Sequence, residues 1–384
     1  MRRLLLLVSA IVLVDTMFFA AITPLLPRYS DELGLSKSAA GVLAAAYPAG
    51  TLLASLPSGW LALRVGVRPT VLFGLGLLAV SSVAFGLAES VVLLDAARFL
   101  QGVGGAASWA GGLGWLVAAG PPERRGELIG SAFAAAIGGA LLGPALGGIA
   151  NETAPEAAFG TVGLIAVALL VWTLRTPAPA REGSERGRLL PALRHRPLLA
   201  GMALIVIVGL YFGVVEVLVP LRLDELGAGG AVVAGVFLVA AGLQALASPA
   251  VGRYSDRRGP LAPVRVALAF GVALALAIAA AGAIAPLAAL AILAGPLVGM
   301  LWVPAMTILS GGAESAGLDQ AMAFALVNLT WAAAQTVGAG GGGSLADAAG
   351  DWAAYGAVAG VVALALVVAL RVGGAPGAAR TAST

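Results

Sequence analysis

Pro27, Asp31-Glu32-Leu33-Gly34, Leu53-Ala54-Ser55, Gly59, Arg64 and Gly66 recur 193 residues later as Pro220, Asp224-Glu225-Leu226-Gly227, Leu246-Ala247-Ser248, Gly252, Arg257 and Gly259. No gap is needed between the copies. Apolar matches arise easily by chance in a chain rich in Ala, Leu and Gly, so the weight falls on the charged, Pro and Gly identities that keep their order. The chain is read as two copies of one unit. Each copy carries apolar runs of membrane length, and an even number of crossings separates equivalent positions. Both halves therefore face the same way, as in parallel repeats related by an axis along the membrane normal, with a binding site between them.

The composition agrees. Of 384 residues, 60% are hydrophobic and 11% charged, which lies outside the range of soluble domains. Apolar runs bounded by charge and Gly/Pro punctuation fall near 4-27, 39-60, 70-87, 91-117, 128-149 and 157-174, then 198-221, 230-251, 262-284, 286-308, 318-345 and 352-370. The expected fold class is all-α: a polytopic membrane protein with twelve transmembrane helices in two pseudo-symmetric six-helix halves. The expected organisation is an N-terminal half at 1-174, a cytoplasmic linker at 175-197, a C-terminal half at 198-371 and a disordered tail at 372-384. With both termini in the cytoplasm, eighteen of the 22 basic residues fall inside; Arg28, Lys37 and Arg222 fall outside and Arg98 within a span. Arg2 and Arg3 before a short apolar run look like the start of a signal peptide, but Asp15 and the missing small-residue cleavage site argue for a retained span. Zero cysteines and one histidine, His195 in the arginine-rich linker, exclude disulfides, thiolate chemistry and a multi-histidine metal site, and leave no constellation for a membrane enzyme.

Several motifs carry a resemblance. Gly59-Trp60-Leu61-Ala62-Leu63-Arg64-Val65-Gly66-Val67-Arg68 and its partner Gly252-Arg253-Tyr254-Ser255-Asp256-Arg257-Arg258-Gly259 resemble the G-x-x-x-D-R-x-G-x-R/K cytoplasmic loop of the major facilitator superfamily. Leu63 stands where that family usually has Asp, so the first copy's gating role is weakened, while Asp256 suits a facing helix N-terminus. Arg98-Phe99-Leu100-Gln101-Gly102-Val103-Gly104 is similar to the family's R-x-x-Q-G-x-G motif. Gly139-Ala140-Leu141-Leu142-Gly143-Pro144-Ala145-Leu146-Gly147-Gly148 matches its antiporter motif at every defined position. The glycines at 139, 143 and 147 make one smooth stripe, expected to pack closely across the halves, and Pro144 removes a backbone donor. The motif set resembles the twelve-span drug:proton antiporter branch. That resemblance implies proton-driven efflux of a small amphipathic or cationic compound, no cofactor, and a monomer among membrane lipids. The arginines sit at segment ends as a topology signal, so no nucleic-acid partner is expected, and the Ala/Gly/Arg bias with a single lysine points to a GC-rich genome and hence a bacterial inner membrane.

Proton coupling needs a carboxylate whose protonation is shifted by burial. Only Asp15, Asp95 and Glu216 lie inside spans. Asp15, midway along span one and followed by Pro24-Leu25-Leu26-Pro27, resembles the first span of tetracycline-type exporters. It is expected to be the protonation site, with Arg98 as partner. Glu216, toward the outer third of span seven, is expected to recognise a cation or a second proton, and Asp95 to pair with Arg98 along the helix surface. Pocket candidates are Phe18, Phe19, Gln101, Trp109, Tyr211, Gln244, Trp302, Asn328, Trp331 and Gln335, and the run Gly338 to Ser344 is expected to end span eleven as a hinge. A sugar or metabolite exporter or permease, an uncoupled facilitator and a non-transporting receptor stay open as alternatives.

Overall fold

The computed structural model describes residues 1–121, 124–178, 189–318 and 320–372. The expected tail lies outside these residues from 373 onward, as do residues 179–188 of the linker.

The first half is built from α1 (Arg2–Ala20) and α2 (Leu26–Leu33), which together form one rod, then α3 (Lys37–Val65), α4 (Val67–Gly86), α5 (Val91–Ala119), α6 (Arg125–Glu152) and α7 (Pro155–Leu174). A one-turn helix α8 (Leu189–Ala192) precedes the second half. That half consists of α9 (Arg196–Glu225), α10 (Gly230–Arg258), α11 (Leu261–Ala280), α12 (Ile284–Ser315), α13 (Gln320–Thr336), α14 (Gly342–Ala349) and α15 (Asp351–Val372). Between α13 and α14 the chain makes a π turn, Val337–Gly341. Counting α1–α2 and α13–α14 as single rods gives twelve crossings in two halves of six, the architecture expected from the repeat. Among the described residues ten helical segments are long and apolar enough to cross a membrane. The other two rods are α5, whose buried face is rich in glycine and carries Arg98 and Gln101, and the interrupted α13–α14. Large apolar side chains such as Val80, Leu164 and Leu364 stand exposed on the outside of the bundle, where lipid would cover them.

The repeat is visible in the backbone. Helix α10 begins and ends 193 residues after α3, and both contain 29 residues. Gly34 and Gly227, and Gly66 and Gly259, all have positive φ, which a residue with a Cβ rarely adopts. Gly66 (φ 103) and Gly259 (φ 81) turn the chain from one helix to the next within one to two residues, which accounts for the glycine in each copy of the loop motif.

The rod α1–α2 is broken between Ala21 and Leu25. Pro24 and Pro27 withhold two amide donors there, and the chain closes instead with a 3-10 turn at Thr23–Leu25.

The glycine stripe of α6 has a different neighbour from the one expected. A Cβ at Gly139 would lie 3.0 Å from Met17 N, one at Gly143 would lie 2.8 Å from Met17 O, and one at Gly147 would lie 3.1 Å from Pro24 Cδ. The stripe thus seats α6 on α1 inside the first half. Only Gly148, turned about 100° further round the helix, faces the second half, at Ala234. Pro144 lies inside α6, which continues past it. The glycine run in span eleven also departs from expectation: it forms the π turn within the rod and does not end it.

The two halves meet most closely at the face opposite the termini, called here the far face. Lys37 Nζ at the start of α3 binds Asp351 (2.8 Å) and Glu225 (2.9 Å) of the second half. Asp347 accepts the Lys37 and Ser38 amides at 3.0 and 2.8 Å, capping α3 from across the seam, and the Ser38 and Ser344 hydroxyls are 3.0 Å apart. Partial burial alone would raise the Asp347 carboxyl. Hydrogen bonds from Ser36 and from the Ser38 and Lys37 amides, with the Lys37 charge, instead hold it below the usual 3.8, so it stays charged at neutral pH. At the face carrying the termini, Asp256 and Arg257 are exposed and bonded to none of the described residues of the first half, and Arg64 lies over its own helix's Trp60 at 4.7 Å. Asp256 therefore meets no helix N-terminus among the described residues. Arg68 donates to Leu174 O at the end of α7, within its own half, and not across the seam. Burial along α3 and α10 is dense at the far end and sparse toward the termini. The molecule is closed at its far face and parted at the other.

Candidate functional site

Three acidic or basic side chains are buried among the described residues: Asp15 (1% exposed), Arg98 (0%) and Glu216 (1%). An ionisable group in a membrane interior is expensive and persists only where something holds it. In order along α1 and its break, the groups in contact are Asp15 itself, then Arg98 at Phe18 and Phe19, then Glu216 at Thr23. From Asp15 to Thr23 the rod rises about 12 Å.

Asp15 Oδ2 accepts from Tyr47 Oη (2.8 Å, from α3) and Trp109 Nε1 (3.0 Å, from α5), while Asp15 Oδ1 is buried with no donor. The space for this cluster exists because residue 105 is glycine: a Cβ there would sit 2.7 Å from the Tyr47 hydroxyl and 2.9 Å from Asp15 Oδ1. Arg98 does not bond Asp15, contrary to the pairing expected from the sequence. Its Nη1 donates to Phe18 O (3.3 Å) and Gln101 Oε1 (2.7 Å), and its Nη2 to Phe19 O (3.1 Å). Phe18 O, which also accepts the Ala21 amide at 3.3 Å, and Phe19 O belong to the last turn of α1, so the guanidinium caps the negative end of a helix. Nor does Arg98 pair with Asp95, whose Oδ1 is buried without a partner. The reason is geometric: the guanidinium points to α1, away from the surface of its own helix.

Glu216 stands nearer the far face than Asp15 yet is sealed. It accepts from Thr23 Oγ1 (3.2 Å) in the first half and from Gln335 Nε2 (2.5 Å) on α13. Thr23 and Glu216 are 193 residues apart, so they are equivalent positions of the repeat in direct contact, and the pseudo-twofold axis runs between them. Phe19 bridges the seam, stacking on Tyr47 (4.8 Å) and edge-on to Trp331 of the second half (5.4 Å). Arg98 lies over the Tyr47 and Phe19 rings at 5.3 and 5.8 Å. Trp109 packs on Phe133 at 5.3 Å.

Of the pocket candidates, Phe19, Gln101, Trp109, Trp331 and Gln335 converge on this cluster. Others do not. Phe18 is buried within the first half against Phe85 and Phe159. Tyr211 is buried, its hydroxyl without a partner, and Trp302 packs into the hydrophobic core. Gln244 lies beside Gly299 of α12, and Asn328 is half-buried. Tyr47 and Thr23 were missed by sequence reasoning. Their signal was faint: each is one polar group in an apolar run, and only the crossing of α1, α3 and α9 gives it a partner.

A sequence model of the Major Facilitator Superfamily matches residues 8–318, and the chain belongs to that family. Among curated proteins it is similar to the MFS-type transporter ppzB of Metarhizium rileyi, 35% identical over 125 residues, 33% of this chain and 26% of that one. It is also similar to the quinolone resistance protein NorA of Staphylococcus aureus, 28% identical over 159 residues, 41% of each. The matched stretches thus span less than half of either relative. In fold it resembles a bacterial homologue of the human lysosomal transporter Spinster, solved inward-facing and unoccupied, with a TM-score of 0.73 at 15% identity, covering 96% of this chain and 92% of the other.

Proposed function

We propose that the protein is a proton-coupled exporter that exchanges external protons for a small amphipathic or cationic compound by alternating access between its halves. One observation carries the reading. Two buried carboxyls, one contributed by each half, are each held by neutral donors and not by an ion pair. Such a group can gain or lose a proton without breaking a salt bridge, and a cationic substrate can compete for the same negative charge. The aromatic walls of Phe19, Tyr47, Trp109 and Trp331 suit an amphipathic cation, because ring faces attract positive charge while excluding water. NorA's similarity, as a quinolone resistance protein, supports efflux over uptake.

The positive-inside count favours a cytoplasmic location for the face bearing the termini, and the Ala/Gly/Arg-rich, lysine-poor composition favours a bacterial inner membrane. Substrate reaches the cluster from that side, the far-face ion pairs then part, and external protons replace the substrate at Asp15 and Glu216. No cofactor takes part; the proton gradient drives the cycle.

The test uses sealed proteoliposomes with a pH-sensitive dye inside and ethidium as probe cation. Ethidium added outside should draw protons out of the lumen with the wild type and not with Asp15→Asn. Ethidium movement without protons in the wild type, or unchanged coupling in the variant, would overturn the reading.

A further inference from the structure

Besides the exchange itself, the site carries information about how many protons move. The described residues bury one guanidinium, Arg98, and two carboxyls, Asp15 and Glu216. The remaining titratable groups facing them are the phenols of Tyr47 and Tyr29, neutral at working pH. Arg98 serves both carboxyls as the one nearby cation while hydrogen-bonded to neither: its donors are occupied by Phe18 O, Phe19 O and Gln101. Net charge is heavily penalised at this depth. With both acids ionised the set carries one negative charge; with both protonated, one positive.

We infer that the resting site holds one proton shared between Asp15 and Glu216, so that a monovalent cation displaces one proton and the exchange is electroneutral. The inference rests on the antiport reading given above. The balance is simple. Before binding, the set is one guanidinium, one carboxylate and one carboxylic acid. The arriving cation converts the acid to a second carboxylate, its proton leaves to the aqueous phase on the open side, and the total charge is zero before and after. From this the substrate class narrows: a monocation fits the charge of the site, whereas a dication leaves it positive.

The experiment places wild-type protein in proteoliposomes with valinomycin and potassium setting the membrane potential, and follows ethidium against protein-free vesicles. A pH gradient at zero potential should drive ethidium. A potential of about 100 mV at zero pH gradient should drive none beyond the protein-free control. Protein-dependent flux driven by the potential alone would overturn the one-to-one exchange while leaving antiport intact. Absence of flux with the pH gradient would defeat the antiport reading itself, so the two failures are distinguishable. A second readout uses solubilised protein in weak buffer. Ethidium should release one proton per cation bound by the wild type and none by Asp15→Asn or Glu216→Gln, because the carboxyl left in either variant balances Arg98 without a proton. Release of one proton by either variant would place the proton on a single acid and overturn the sharing.

Discussion

Tyr47 and Trp109 aim their side-chain donors at the same oxygen of Asp15, and a hydrogen bond to a charged group is worth about 1.5–3 kcal/mol. Tyr47→Phe removes one of the two without changing the ring that stacks on Phe19. It should lower substrate-driven proton flux about tenfold, the equivalent of about 1.4 kcal/mol, with little change in the amount of folded protein recovered. Flux equal to wild type would show that the hydroxyl does not hold the carboxyl in place. Gly105→Ala attacks the same cluster sterically, since its methyl would fall 2.7 Å from the Tyr47 hydroxyl; transport should drop at least as far, while Gly76→Ala, which meets open space on α4, should leave it unchanged. At this scale the sequence was legible where the residue type is rare. Asp15, Arg98 and Glu216 stand out because charged groups are almost absent from apolar runs. Tyr47 does not, because nothing in its own helix says that an aspartate will cross beside it.

Among the elements, α1 is held on two sides by features whose partners had to be seen. The stripe Gly139, Gly143 and Gly147 was clear from its four-residue spacing, but spacing names a face and not the neighbour, and the neighbour is α1 and not the second half. Gly143→Val should overpack that contact, costing about 1–3 kcal/mol, and should lower the thermal unfolding temperature in detergent. Gly252→Val, at a glycine with open space on α10, should lower it much less; equal shifts for both would contradict the packing. The break at Pro24 was likewise visible as a proline pair, yet the arginine that caps the last turn of α1 before it comes from α5. Span eleven was misread for a related reason. Its glycine run looks like a helix end, whereas α9 packs so closely there that a Cβ at Gly213 would fall 2.6 Å from Ala339 N, and the π turn continues into α14. Val337, where that turn begins, stands 193 residues after Pro144, so both halves interrupt the regular hydrogen-bond ladder at the corresponding place by different means.

For the whole molecule, the duplicated sequence predicted the two halves and their shared orientation, since identities in order survive where helix contacts cannot be read. It did not show that the symmetry is broken at the far face. Lys37 and its neighbours make a polar closure on α14 and α15; the equivalent position in the second copy is Gly230, where a Cβ would meet Asn151 and no ion pair forms. Because Lys37 is the chain's single lysine, a membrane-impermeant amine reagent reports on this closure directly. Labelling of Lys37 from the far side should rise when substrate turnover is started and fall when it stops; labelling indifferent to turnover would argue that the closure is static. The absence of native cysteines permits the most direct test of the central claim, that proton exchange requires the halves to part at this face. Ser38→Cys with Ser344→Cys places two thiols where the hydroxyls are now 3.0 Å apart. Oxidation of the double variant in proteoliposomes should stop ethidium-dependent proton flux and reduction should restore it; full flux through protein shown to be fully cross-linked would contradict the account.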